Sequence, residues 1–166
     1  DWQRLRQADV QIVDDGTESI ETRLGAIRDL ELARTQGQAV GDLLVVGTDN
    51  LFDWSLRDFV ACAQRRRPAP SLAVWEAPSA LSAAQFGVVR RDQDSRVTMF
   101  VEKSLQPPSR EVALCVYYFP APMVGMIQRF LDEGGHADAA GYFIAWLVQR
   151  TPVYGIMRSG RWHDIG

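Results

Sequence analysis

Lysine is nearly absent from this chain. Of its 18 basic side chains 17 are arginine, and Lys103 is the one lysine. A genome-wide drift from Lys to Arg accounts for the scarcity. Under that drift the surviving lysine either does a job arginine cannot do or survives by chance. Cysteine is also scarce. Cys62 and Cys115 stand far apart among apolar neighbours, with no C-x-x-C spacing, which excludes a zinc knuckle and a disulfide framework. Both read as buried free thiols of a reducing cytoplasm. The two histidines, His136 and His163, have no ligand-spaced partner. No apolar run approaches the roughly 20 residues needed to span a bilayer. There is no signal, transit or lipidation motif. The net charge of −3 gives no electrostatic case for nucleic acid or an anionic membrane. G-x-S-x-G, P-loop and G-x-G-x-x-G motifs are all missing, and Ser, His and Asp form no triad order.

What is present suits one α/β domain. The chain has 166 residues, 46% hydrophobic and 23% charged, enough for a core and too apolar for disorder. Residues 9–14 alternate and read as a strand, stopped by Asp15-Gly16. Leu24, Ile27 and Leu30 stripe a helix that exits at Gly37 to Gly41. Leu43-Leu44-Val45-Val46 has no polar alternation, as in a central strand covered on both faces. Leu56, Phe59, Val60 and Ala63 stripe a second helix with Ser55 as N-cap. Arg65-Arg66-Arg67-Pro68 ends it, and residues 71–76 read as a buried strand. This β, α, β, α, β order predicts right-handed crossovers and a mostly parallel sheet. Strands are then expected at 86–90, 97–102 and 112–119, the first two as a hairpin around Asp92-Gln93-Asp94-Ser95. Helices follow on Met123, Ile127, Phe130 and Leu131, and on Phe143, Trp146 and Leu147. The last strands fall at 153–157 and 162–165.

Chemistry is expected beyond the carboxyl ends of the strands. Asp49 follows the Leu43–Val46 run and Asp164 follows Trp162, so two carboxylates at separate strand ends could share one hard cation. A turn-forming Asp-Asn pair is the bland alternative for Asp49. Glu102-Lys103 closes the 97–102 strand. A carboxylate accepts from hydroxyls and an ammonium is a compact phosphate partner; the alternative is an exposed ion pair of little energy. Gly87 either lets a ligand approach the backbone or marks a bulge. Trp54, Trp75, Trp146 and Trp162 read as core or rim aromatics, since no basic stripe accompanies them.

These residues together resemble the sugar-1-phosphate nucleotidyltransferases, which include glucose-1-phosphate thymidylyltransferases and related NDP-sugar pyrophosphorylases. The resemblance runs in order along nearly the whole chain. It covers Thr22-Arg23-Leu24-Gly25-Ala26-Ile27-Arg28-Asp29-Leu30, residues 42–52 with Asp49-Asn50, Phe86-Gly87-Val88-Val89 and Phe100-Val101-Glu102-Lys103. Val116-Tyr117-Tyr118-Phe119 and Gly160-Arg161-Trp162-His163-Asp164-Ile165-Gly166 complete it. It implies a GT-A-like, Rossmann-type mixed sheet flanked by helices. It implies that a sugar-1-phosphate attacks a nucleoside triphosphate, giving a nucleotide-sugar and pyrophosphate. Asp49 and Asp164 match the family's Mg²⁺-binding aspartates. Glu102 matches a residue that holds sugar hydroxyls, and Lys103 one that holds the sugar phosphate. Gly87 matches a backbone position beside the sugar, and Trp162 belongs to the same substrate-binding element. In-line phosphoryl chemistry needs positioning and charge neutralisation more than a nucleophile, consistent with the missing triad.

The departures are specific. The family's opening strand and glycine-rich Gly-x-Gly-Thr-Arg-Leu loop, which bind the nucleotide, have no counterpart in residues 1–166. The chain is therefore expected to be one catalytic domain without its nucleotide-binding loop, part of something longer, and slow or inactive in isolation. Thr48 and Cys115 stand where family members usually carry glycine. Both add bulk near the expected site, which motivates an alternative: a non-catalytic sugar-phosphate-binding or regulatory homologue. A GT-A glycosyltransferase would use similar carboxylates, but the terminal Trp-x-Asp-Ile-Gly argues against it. The sugar, the base and homo-oligomer formation stay open.

Overall fold

The computed structural model describes residues 10–166. Among the described residues eight strands and six helices follow one another. They are α1 (Ala26–Gln36), β1 (Leu43–Val46), β2 (Asn50–Phe52), α2 (Leu56–Gln64), β3 (Ser71–Glu76), α3 (Ala80–Ala83), β4 (Gly87–Arg91) and β5 (Val97–Glu102). β6 (Glu111–Phe119), α4 (Ala121–Val124), α5 (Met126–Asp132), α6 (Ala140–Val148), β7 (Tyr154–Met157) and β8 (Trp162–Asp164) follow. Ser55 caps α2 as expected, its hydroxyl accepting from Asp58 N at 3.2 Å. The expected helix around Met123 to Leu131 is two short helices that meet at Gly125.

The nine-residue β6 organises the sheet, whose order is β5-β4-β6-β3-β7 with β1 also on β6. The mixed α/β class holds, but the sheet is not mostly parallel. β1, β3 and β4 all run antiparallel to β6, and β4 runs antiparallel to β5. Only β3 and β7 are parallel. The physical reason lies in β6. β1 and β3 do point the same way, as their connecting helix requires, but the slot between them is filled by a later strand of opposite direction. The outer hairpin also reaches the far edge. Val97 N donates to Val153 O at 2.8 Å and Gly155 N to Ser95 O at 2.9 Å, so the sheet curls on itself.

Side chains of β6 alternate between two cores, as a strand covered on both faces must. Val112, Leu114, Val116 and Tyr118 join Phe59 and Ala63 of α2. Tyr117 and Phe119 join Ile27 of α1, Ile127 and Phe130 of α5, and Phe143 and Leu147 of α6. Phe59, Phe119 and Phe143 are fully buried, each contributing about 2–3 kcal/mol of apolar transfer. The expected strand at 9–14 is not formed over residues 10–14; Asp9 lies outside the described residues. That segment runs past the end of α1, close enough for Gln11 Oε1 to lie 3.6 Å from a Cβ placed on Gly37, and Ile12 is left exposed. Both cysteines are free and half-buried rather than buried.

Candidate active site

A tight turn carries the chain off the end of β1. Gly47 N extends the β1–β6 ladder by donating to Cys115 O at 2.7 Å, and Asn50 N turns back to Gly47 O at 3.4 Å. Asp49 sits at the tip. The next residues form β2, which pairs antiparallel with β8 and sets Asn50 opposite Asp164. This short ribbon was not expected from the sequence, yet it joins the two strand ends. Ile165 N donates to Asp49 O at 2.9 Å. Asp49 Oδ2 and Asp164 Oδ1 lie 3.2 and 3.5 Å from the point a Cβ on Gly166 would occupy. The two carboxylates therefore converge, and both line one cavity of about 260 Å³.

Asn50 orients Asp49. Its amide donates to Asp49 Oδ1 at 2.6 Å, and its Oδ1 accepts from Trp162 Nε1 at 2.7 Å. Trp162 is buried, its ring 5.0 Å from Phe86 and 5.5 Å from Trp75. Its N–H is committed to Asn50, so the ring itself supplies its share of the cavity wall. His163 alternates to the other side of the ribbon and lines a separate groove with Leu51 and Arg161. The His136 ring lies tilted against that of Tyr142, 4.9 Å between centroids.

The opposite wall comes from the β4–β5 hairpin, which pairs Gly87 with Glu102. A Cβ on Gly87 would meet Phe100 Cζ at 2.6 Å and Glu102 Oε2 at 3.1 Å. Glycine leaves room there for the ends of the Phe100 and Glu102 side chains, and the sheet irregularity falls elsewhere, between Arg90 and Arg91. Gly141, in the first turn of α6, was not singled out by sequence. A Cβ there would come 1.7 Å from Glu102 Oε2. The signal was present in Ala139-Ala140-Gly141, three small residues opening an apolar helix. The Glu102 carboxylate thus stands between two glycines, with no hydrogen-bond partner among the described residues. Burial pushes its pKa up, opposed by the nearby Lys103 ammonium. Lys103 adopts φ 45°. Its ammonium is exposed and makes no ion pair among the described residues, so the Glu102–Lys103 salt bridge considered above is not formed.

Cys115 lies on the cavity floor near Asp49. Burial raises its pKa, and so does the Asp49 charge, which keeps it a neutral thiol. Tyr117 beside it is pushed well up by burial. Thr48 faces a neighbouring apolar cavity instead. The donor set at the convergence point is two hard carboxylates with no third metal-ligating side chain among the described residues. Mg²⁺ is held that way, by one or two carboxylates with water and phosphate oxygens completing an octahedron. The residues fit that ion and would suit a soft metal poorly.

Comparisons with known proteins bear on the fold and the family. A glucose-1-phosphate adenylyltransferase of Clostridium acetobutylicum is 21% identical over 130 residues, covering 75% of this chain and 33% of that protein. One from Thermosipho africanus is 21% identical over 126 residues, covering 75% and 30%. The chain thus spans about a third of the length of these relatives. The crystal structure of UDP-glucose pyrophosphorylase complexed with UDP-glucose superposes with a TM-score of 0.71 at 13% identity, over 85% of this chain and 57% of that one. The fold is the GT-A-like fold of that enzyme class. The nucleotidyl transferase family profile matches residues 1–166, and the chain belongs to that family.

Proposed function

We propose that this chain forms the sugar-phosphate side of a nucleotidyltransferase active site. The enzyme joins a sugar-1-phosphate to a nucleoside triphosphate and releases pyrophosphate. The observation that carries this reading is the convergence of Asp49, Asp164, Glu102 and Lys103 on one cavity. The relatives' names make glucose 1-phosphate the first substrate to test.

Each group has a role set by its chemistry. A sugar-phosphate oxygen bonds to the α-phosphorus, the bond from that phosphorus to the bridging oxygen breaks, and pyrophosphate leaves. The attacking oxygen is already anionic, so no general base is needed. Lys103 holds the sugar phosphate by charge-assisted hydrogen bonds. Glu102 accepts from sugar hydroxyls, with Gly87 and Gly141 leaving it room and Trp162 walling the cavity. Asp49 and Asp164 would hold Mg²⁺, which when bound would neutralise phosphate charge in the transition state. The reaction belongs to the cytoplasm, a reading supported by the two free thiols.

One observation favours a second reading. Cys115 occupies the cavity floor where the resemblance calls for glycine, so a sugar-phosphate-binding homologue without turnover would show the same walls. Pyrophosphate release from a panel of nucleoside triphosphates and sugar phosphates with Mg²⁺, using the complete gene product, separates the two. Release supports the enzyme. Binding of glucose 1-phosphate without release supports the binding module.

A further inference from the structure

A second cavity, of about 340 Å³, lies apart from the candidate active site and differs from it in charge. The candidate active site holds three carboxylates and one ammonium. The second is lined by Arg65, Arg66 and Arg91, together with Ser95, Tyr154 and Cys62, and by no carboxylate. In a chain of net charge −3 such a lining is uneven. Arg65 and Arg66 follow the end of α2, where the helix dipole favours cations. The dipole does not account for a third arginine arriving from β4.

The three guanidiniums are held differently. Arg91 is pinned by two bonds to Glu111, at 3.0 and 2.7 Å, and by a third to Gly155 O at 3.0 Å. The Arg66 guanidinium carbon lies over the Tyr154 ring, 4.6 Å from its centroid, a cation–π contact that helps to hold the fork. Arg65 reaches only Cys62 Sγ, at 3.0 Å. Neither Arg65 nor Arg66 is ion-paired among the described residues, and the Ser95 and Tyr154 hydroxyls have no hydrogen-bond partner there. Two unneutralised planar forks and two free hydroxyls around a concave space recognise a phosphate group.

We propose that this cavity is a second anion site that binds a phosphate-bearing small molecule, either free phosphate or a phosphate ester. It is separate from the sugar-phosphate cavity and does not depend on the function proposed above. β4 connects the two places, with Gly87 lining one cavity and Arg91 the other.

The test is calorimetric titration of the 166-residue chain with inorganic phosphate and, separately, with glucose 6-phosphate. Wild type, Arg65→Ala/Arg66→Ala and Lys103→Met are compared at two salt concentrations. Both arginines are exposed, so the double variant should fold; a thermal melt confirms it. A phosphate-binding event weakened about tenfold or more by the double variant, unaffected by Lys103→Met and weakened by salt, establishes the site. Tighter binding of glucose 6-phosphate makes the ligand an ester, and equal binding makes it free phosphate. No binding by wild type overturns the proposal. So does equal binding by the double variant, or binding lost only in Lys103→Met.

Discussion

Lys103 adopts a left-handed backbone (φ 45°) that costs a side-chain-bearing residue about 1–3 kcal/mol unless its surroundings impose it. Here the end of β5 does so, with Lys103 N held by Phe86 O at 3.2 Å. Lys103 makes no ion pair with Glu102 among the described residues and lines the same cavity. Composition alone had marked this residue, through the scarcity of lysine. Glu102 yields a pH prediction. Its folded-state pKa is raised above the ordinary 4.5, chiefly by burial. Its contribution to stability is therefore full below its unfolded value and is lost as pH rises through its folded one. Glu102→Gln should melt higher than wild type at neutral pH, with the difference vanishing below about pH 4.5. A variant that melts lower at neutral pH contradicts the assignment. Gly141 was legible only as part of a small-residue run, because the contact that demands it is with a residue 39 positions away. Gly141→Ala should displace Glu102 and weaken glucose 1-phosphate binding. The melt should change little, because helix propensity regains about 1 kcal/mol. Unchanged affinity would show that Glu102 does not hold the sugar.

At the scale of elements, local pattern was a good guide to existence and a poor guide to neighbours. The stripe on Leu56, Phe59 and Ala63 became α2, and Ser55 capped it. The strand expected at 112–119 became β6, with two buried faces. Pairing was not legible, because nothing in the β1–α2–β3 segment announces that β6 will enter between its strands. The three-residue β2 was missed because strands so short carry almost no periodicity, although β2 is what brings Asp49 to Asp164. Asp42 fastens β1 in this arrangement. It accepts from the Tyr118 hydroxyl and from Ala121 N (2.9 Å), and pairs with Arg67 at 3.2 Å. These contacts, the Tyr118 bond first, hold its carboxyl below the usual range. Asp42→Ala should cost about 1–3 kcal/mol in urea denaturation; a loss below about 0.5 kcal/mol would mean the latch is idle.

For the whole molecule, the mixed α/β class followed from the order of elements, while the curl of the sheet did not. The apolar run Leu43–Val46 called for cover on both faces. Yet among the described residues β1 pairs only with β6, and Leu44 and Val46 remain 42% and 36% exposed. An apolar strand edge of this kind templates association between chains. The 166-residue chain should self-associate with rising concentration in sedimentation equilibrium, and Leu44→Lys should suppress it. A monomer at all concentrations would show that the edge is protected.

The same folding brings Asp49, Asp164, Glu102 and Lys103 from three strand ends to one cavity, and this convergence is the centre of the functional account. It is tested most directly by calorimetric titration with glucose 1-phosphate in the presence of Mg²⁺, comparing wild type with Lys103→Met and Asp49→Asn. The account predicts saturable wild-type binding. Lys103→Met should weaken it about tenfold or more whether or not Mg²⁺ is present, and Asp49→Asn should weaken only the Mg²⁺-dependent part. Wild-type binding left unchanged by both substitutions would contradict it.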